Sequence, residues 1–125
     1  MMTLSQIMDR HLVAVSPSTS IANAAKLIKS SNVDFLLVVQ DGRLAGTLGL
    51  ADTSAAGDQS RPVSGVMQKP LCLEEGSSVD DAVRYVIEHG LTRLPVVVNK
   101  KEMRCSGIVS STALIRAKKQ QDSKQ

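Results

Sequence analysis

The sequence predicts an α+β protein of two tandem β-α-β-β-α repeats, their sheets packed face to face about a pseudo-twofold axis. Three observations predict it. The stretch 18–39 recurs at 76–97 at one fixed spacing and without a gap. Each copy reads as a capped helix, a tight stop and an apolar strand, and an internal repeat in so short a chain sets the architecture. Hydrophobic residues make up 42% while Phe35 and Tyr85 are the only aromatics, so the core is aliphatic. A single half would leave one face of its sheet uncovered, and two halves cover each other and leave two related clefts.

The elements follow in order. Leu4, Ile7 and Met8 stand at helical spacing and form a short amphipathic turn. Residues 12–15 are a short strand stopped by Ser16-Pro17. Ser18, Thr19 and Ser20 offer N-caps, and Ile21, Ala24, Ala25 and Ile28 line one helix face. Asn32 is a left-handed stop. Residues 35–39 are apolar without alternation, as in a strand buried on both faces. Asp41-Gly42 makes a hairpin turn, 44–48 return, and 51–56 start a short helix. Gly57 to Pro62 is a polar connector.

The second half repeats this order. Ser64-Gly65-Val66-Met67 matches Ser5-Gln6-Ile7-Met8, and 71–73 are the short strand. Ser78 caps a helix with Asp80 and Asp81 in its first turn. Val79, Ala82, Val83, Val86 and Ile87 are its expected buried face. Gly90 stands where Asn32 stood. Residues 94–98 are the buried strand, 99–103 a longer turn, 106–109 the return and 111–118 the closing helix. The expected domains are 1–56, a linker 57–62, 63–118, and a disordered polar tail 119–125.

Composition excludes several classes. The net charge is +3, with Lys118, Lys119 and Lys124 in the tail. That reads as a solvated end, and the scarcity of aromatics leaves little for a base-stacking surface, so nucleic acid is disfavoured. Cys72 and Cys105 are far apart without ligand spacing and read as buried thiols of a reduced, cytoplasmic protein. No segment resembles a signal peptide, and no apolar stretch approaches the ~18 residues of a membrane span. His11 and His89 have no second ligand at useful spacing, so no metal site is expected. No phosphate loop, Cys/His cluster or Ser-His-Asp arrangement suggests an enzyme.

The repeat ends are Gly46-Thr47-Leu48-Gly49-Leu50-Ala51-Asp52 and Gly107-Ile108-Val109-Ser110-Ser111-Thr112-Ala113. With Thr92-Arg93-Leu94-Pro95-Val96-Val97-Val98, they resemble the cystathionine-β-synthase (CBS) domain, whose pattern there is Gly-Ile-Val-Thr/Ser-x-x-Asp after an Arg-x-Pro-Val-Val strand. The likeness spans residues about 4 to 118. It implies a tandem pair, or Bateman module, that binds an adenosine compound (AMP, ADP, ATP or S-adenosylmethionine) in the clefts and commonly pairs as a homodimer. With no fused catalytic or transport domain, such a module is expected to act on a partner protein in trans. The alternative is a structural dimerisation module with vestigial clefts.

The resemblance also implies site residues. Asp52 takes the place of the acid that bonds the ribose hydroxyls, two acceptor oxygens meeting two donors, and helix capping is a compatible role for it. Gly49 replaces the hydroxyl residue before it. The second copy has Ser110 but carries Ala113 in place of the acid. Arg93 matches the basic residue that meets phosphate, a surface arginine being the other reading, and Asp34-Phe35 stands there in the first copy. Ala14 and Cys72 border the adenine or simply pack. Thr47 and Ile108 wall the base or the sheet. Asp34 and Thr92 share a position near the base edge, and Pro95 lies within the motif strand. Each cleft thus carries half of a nucleotide site.

Overall fold

The computed structural model describes residues 1–123. Two three-stranded sheets form, ordered β1-β2-β3 and β4-β5-β6. The first repeat runs β1 (Ala14–Val15), α1 (Ile21–Ser31), β2 (Phe35–Gln40), β3 (Arg43–Gly49) and α2 (Leu50–Ala55). The second runs β4 (Leu73–Glu74), α3 (Val79–His89), β5 (Arg93–Val97), β6 (Cys105–Ser110) and α4 (Ser111–Ser123). The fold is α+β, as the repeat predicts.

Local chemistry sets the boundaries. Ser20 caps α1 by accepting the Asn23 N–H, and Ser78 caps α3 by accepting that of Asp81. The stops are left-handed in both copies, Asn32 at φ 56° and Gly90 at φ 65°. Asp41 and Gly42 both have positive φ, which matches the twist a two-residue hairpin needs. In each sheet the first two strands are parallel and the last two antiparallel. Each carries a register shift at an equivalent place, after Val38 and after Val96.

The chain divides into two compact units that do not follow the repeats. One is Val13–Pro70; the other is Met1–Leu12 together with the chain from Leu71 onward. The 3-10 turn Leu4–Gln6 therefore belongs to the unit of the second repeat, and the turn Val63–Gly65 to that of the first. The first unit buries Ile21, Ala24, Ile28, Leu36, Val38, Leu48 and Val63 together. The second buries Leu4, Met8, Ala82, Val86, Leu94, Val96, Val109 and Leu114.

Each borrowed segment pairs with the last strand of its unit. Gln68 and Thr47 exchange both backbone bonds (2.8 and 3.1 Å), as do Asp9 and Ile108 (2.8 and 2.9 Å). Glycine permits this closeness. A Cβ on Gly46 would lie 2.8 Å from the Gln68 carbonyl oxygen, and one on Gly107 would lie 2.9 Å from that of Asp9.

Three expectations change. The tail expected to be disordered from residue 119 is helical to Ser123. Lys118 bridges Asp80 and Asp122, and Gln121 donates to Asp80, which extends α4 by another turn. Residues 124–125 lie outside the described residues. Ile87 is 74% exposed rather than buried, because eight residues past Val79 the helix has turned about 80° away. Cys72 is buried, but Cys105 is only half-buried.

Candidate functional site

Strand register decides which side chains share a face. Directly opposed residues lie on one face, and alternate residues return to it. In the second unit Arg93 opposes Ser110, and Pro95 opposes Ile108. These four share the face opposite to that of Leu94, Val96 and Val109; Pro95 is buried there, and Arg93, Ile108 and Ser110 are half-buried. Leu94, Val96 and Val109 point the other way, into the core of that unit. In the first unit Ala14 opposes Leu37, which opposes Thr47, and Phe35 opposes Gly49. The repeats therefore present equivalent faces, one with a guanidinium beside a hydroxyl, the other with a phenyl ring beside a glycine.

The helix starts complete each patch. Ser110 Oγ accepts the Ala113 N–H at 3.1 Å and caps α4. Asp52 Oδ2 accepts the Gly49 N–H at 2.8 Å at the start of α2. Its other oxygen, Oδ1, accepts Gln68 Nε2 at 3.0 Å. Asp52 thus serves structure with both oxygens. Gln68 is a partner that sequence reasoning missed; its signal was the alignment of Val66-Met67-Gln68 with Ile7-Met8-Asp9.

The remaining candidates are more scattered. Asp34 and Thr92 are exposed and sit one residue before β2 and β5, outside the opposed rows. The Thr92 carbonyl accepts the Ser111 N–H, holding β5 to the start of α4. Cys72 precedes β4 by one residue, its Sγ 4.0 Å from Met103 Sδ. Burial pushes the Cys72 thiol above its ordinary pKa, with the Lys100 ammonium acting the other way. Burial also raises Cys105, and the charge on Cys72 adds to it. Neither thiol is set up as a nucleophile. Among the described residues no group of three His, Cys, Asp or Glu side chains is placed to hold a metal. No helix there is long and apolar enough to cross a membrane.

The CBS domain pattern matches residues 4–54 and again residues 63–120. The chain belongs to the CBS domain family. Each CBS match is a single stretch of sequence, whereas one of the two compact units joins Met1–Leu12 to the chain from Leu71 onward. The CBS domain-containing protein YhcV of Bacillus subtilis is 34% identical over 103 residues, 78% of this chain and 74% of that one. CBSX2 in complex with AMP superposes with a TM-score of 0.80 at 26% identity, covering 97% of this chain and 98% of the other. CBSX2 from Arabidopsis thaliana gives 0.82 at 25%, covering 98% and 97%. The CBS domain pair of MJ0100, in complex with 5′-methylthioadenosine and S-adenosyl-L-methionine, gives 0.79 at 22%, covering 95% and 97%, a likeness of fold. CBS pairs are in general regulatory modules rather than catalysts.

Proposed function

We propose that this CBS pair is a regulatory module that binds an adenosine-containing ligand (AMP, ADP, ATP or S-adenosylmethionine). It forms a homodimer and signals to a partner protein in trans. The observation that carries this reading is the patch of Arg93, Pro95, Ile108 and Ser110 on one sheet face. A guanidinium suits phosphate by charge and by its fork of donors. Beside it lie an apolar wall for a base and a hydroxyl for a sugar. The AMP complex of CBSX2, similar over nearly the whole chain, supports the same ligand class. Ala14, Thr47, Gly49 and Asp52 are the corresponding candidates of the first unit, and Cys72 and Thr92 flank the patch of the second. Two free thiols suit a reducing, cytoplasmic setting.

A melting-temperature panel with the four compounds at millimolar concentration tests this. A ligand at 100 times its dissociation constant stabilises by about 2.7 kcal/mol, which moves the midpoint by several degrees. Arg93→Ala is expected to reduce the AMP shift. If none of the four moves the midpoint, the sensing reading falls. A second reading then takes over: a structural dimerisation module with vestigial sites. The engagement of both Asp52 oxygens within its own unit favours that reading for the first repeat.

A further inference from the structure

We propose that Cys72, Met103 and Cys105 form a site for a soft monovalent metal ion, copper(I), within the second unit. The proposal goes beyond the adenosine reading and shares only Cys72 with it.

Two segments distant in sequence meet here. Cys72 stands just before β4, and its Sγ lies 4.0 Å from Met103 Sδ in the turn between β5 and β6. That turn is tied at several points. Glu74 Oε2 accepts the Lys100 N–H at 2.7 Å, Asn99 Oδ1 accepts the Glu102 N–H at 2.8 Å, and the Asn99 carbonyl accepts the Met103 N–H at 2.9 Å. Met103 itself has φ 58°, a left-handed backbone that residues other than glycine seldom adopt. The tied turn holds it there, with the thioether returned to the start of β4. Cys105 follows two residues later and begins β6. It opposes Val97, which pairs with Glu74. Cys72 is one alternation before Glu74, so the two thiols share a face of the sheet.

The spacing fits a metal. Two sulfurs that each bind one ion at about 2.3 Å, the length of a zinc–thiolate bond, stand about 4.0 Å apart at an angle of about 120°. Cys72 and Met103 already have that separation, so a trigonal ion needs only Cys105 to turn in as its third ligand. Thiolate and thioether are soft, and the combination selects copper(I) over harder ions. Zinc takes four ligands in closed sites, and among the described residues no group of three His, Cys, Asp or Glu side chains is placed to hold a metal. Charge is accounted for as well. Copper(I) displaces the thiol protons of Cys72 and Cys105 to solvent, and the site is left with one net negative charge. Burial raises the Cys72 thiol, whereas the Lys100 ammonium, 5.9 Å from the Tyr85 ring centroid, acts the other way and favours the thiolate. Cys72 is buried, while Met103 and Cys105 are half-buried and give the ion a way in.

The test is anaerobic titration of the full chain with copper(I) against a chromophoric chelator, for the unaltered chain, Met103→Leu, Cys105→Ser and Cys72→Ala. The unaltered chain is expected to take up one equivalent, with a thiolate-to-copper charge-transfer band, and to leave zinc(II) unbound under the same competition. Met103→Leu nearly conserves volume. It is expected to weaken copper(I) by about tenfold or more, and each cysteine variant by about 100-fold or more, since even an outer partner of a metal site is worth about 10–100-fold. Circular dichroism establishes that each variant is folded. Should the buried Cys72→Ala unfold, the variants at the half-buried Met103 and Cys105 carry the test. Unchanged affinity in folded Met103→Leu overturns the proposal, because the ion then rests on thiols alone. Unchanged affinity in folded Cys105→Ser, uptake of more than one equivalent, or equal retention of zinc(II) overturns it too. So does failure to take up copper(I), which leaves the adenosine reading untouched.

Discussion

The two helices that follow the third strand of each repeat begin differently. A full capping box has an N-cap hydroxyl accepting from the N3 backbone and an N3 acid accepting from the N-cap backbone. At α4 the hydroxyl is present as Ser110 and the acid is replaced by Ala113. At α2 the acid is present as Asp52 and the hydroxyl is replaced by Gly49. Each helix keeps one bond of the pair, which is enough to start it. The difference lies in what each start leaves over. Asp52 is drawn into its own unit by Gly49 and Gln68, whereas in the other unit the acid stands on the borrowed segment as Asp9, which the helix does not use. The same residue type, placed on different elements, caps a helix in one repeat and holds the turn of its own segment, through the His11 N–H, in the other.

Paired substitutions break or sharpen this comparison. The largest effect is expected where each borrowed segment enters its core. Leu4→Ala should cost about 2–5 kcal/mol by urea denaturation. Val63→Ala should cost less, by about the 0.8 kcal/mol of one methylene. If Leu4→Ala is silent, the amino-terminal segment does not complete the second unit. Next come the glycines beneath those segments. Gly107→Ala and Gly46→Ala should each cost about 1–3 kcal/mol through overpacking, read as a lower urea midpoint at constant slope. Ser110→Ala removes the cap of α4 and should cost about 1 kcal/mol in thermal melts. Ala113→Asp completes the box at α4 and should add about 0.3–1 kcal/mol, and Gly49→Ser should add a few tenths at α2. A larger gain at Gly49 would mean that Asp52 alone caps α2 poorly. The smallest effect concerns the longer reach of α4. The Lys118 ammonium holds Asp80 below the usual carboxylate range, first by its hydrogen bond. The stability this lends is present above the ordinary carboxylate value and is lost as the pH falls through the depressed one. Lys118→Gln should move the Asp80 titration upward by NMR.

Much of the scaffold was legible in the sequence because it rests on local chemistry. Asn32 and Gly90 are the residue types that tolerate left-handed backbone, and both adopt it. Asp41-Gly42 and the caps Ser20 and Ser78 follow from the same kind of rule. The exchange of segments was not legible. Leu4-Ile7-Met8 and Val63-Val66-Met67 have the same apolar pattern, so periodicity fits either segment to either sheet. The pairing of Asp9 with Ile108 was hidden for the same reason, since the two are far apart along the chain. The extension of α4 was missed because Lys118 and Gln121 bond to Asp80 on α3, a non-local contact in a polar stretch.

The interleaved units also set an order of events during synthesis. Every strand and turn of the unit Val13–Pro70 has been made once Pro70 leaves the ribosome, so this unit has its whole core available early. The other unit has one strip made before that core and its remainder made after it. Leu4 and Met8 must wait, apolar and uncovered, until β5, β6 and α4 exist. The slowest folding step is therefore expected to be the docking of the segment around Leu4 onto the finished sheet of β5 and β6.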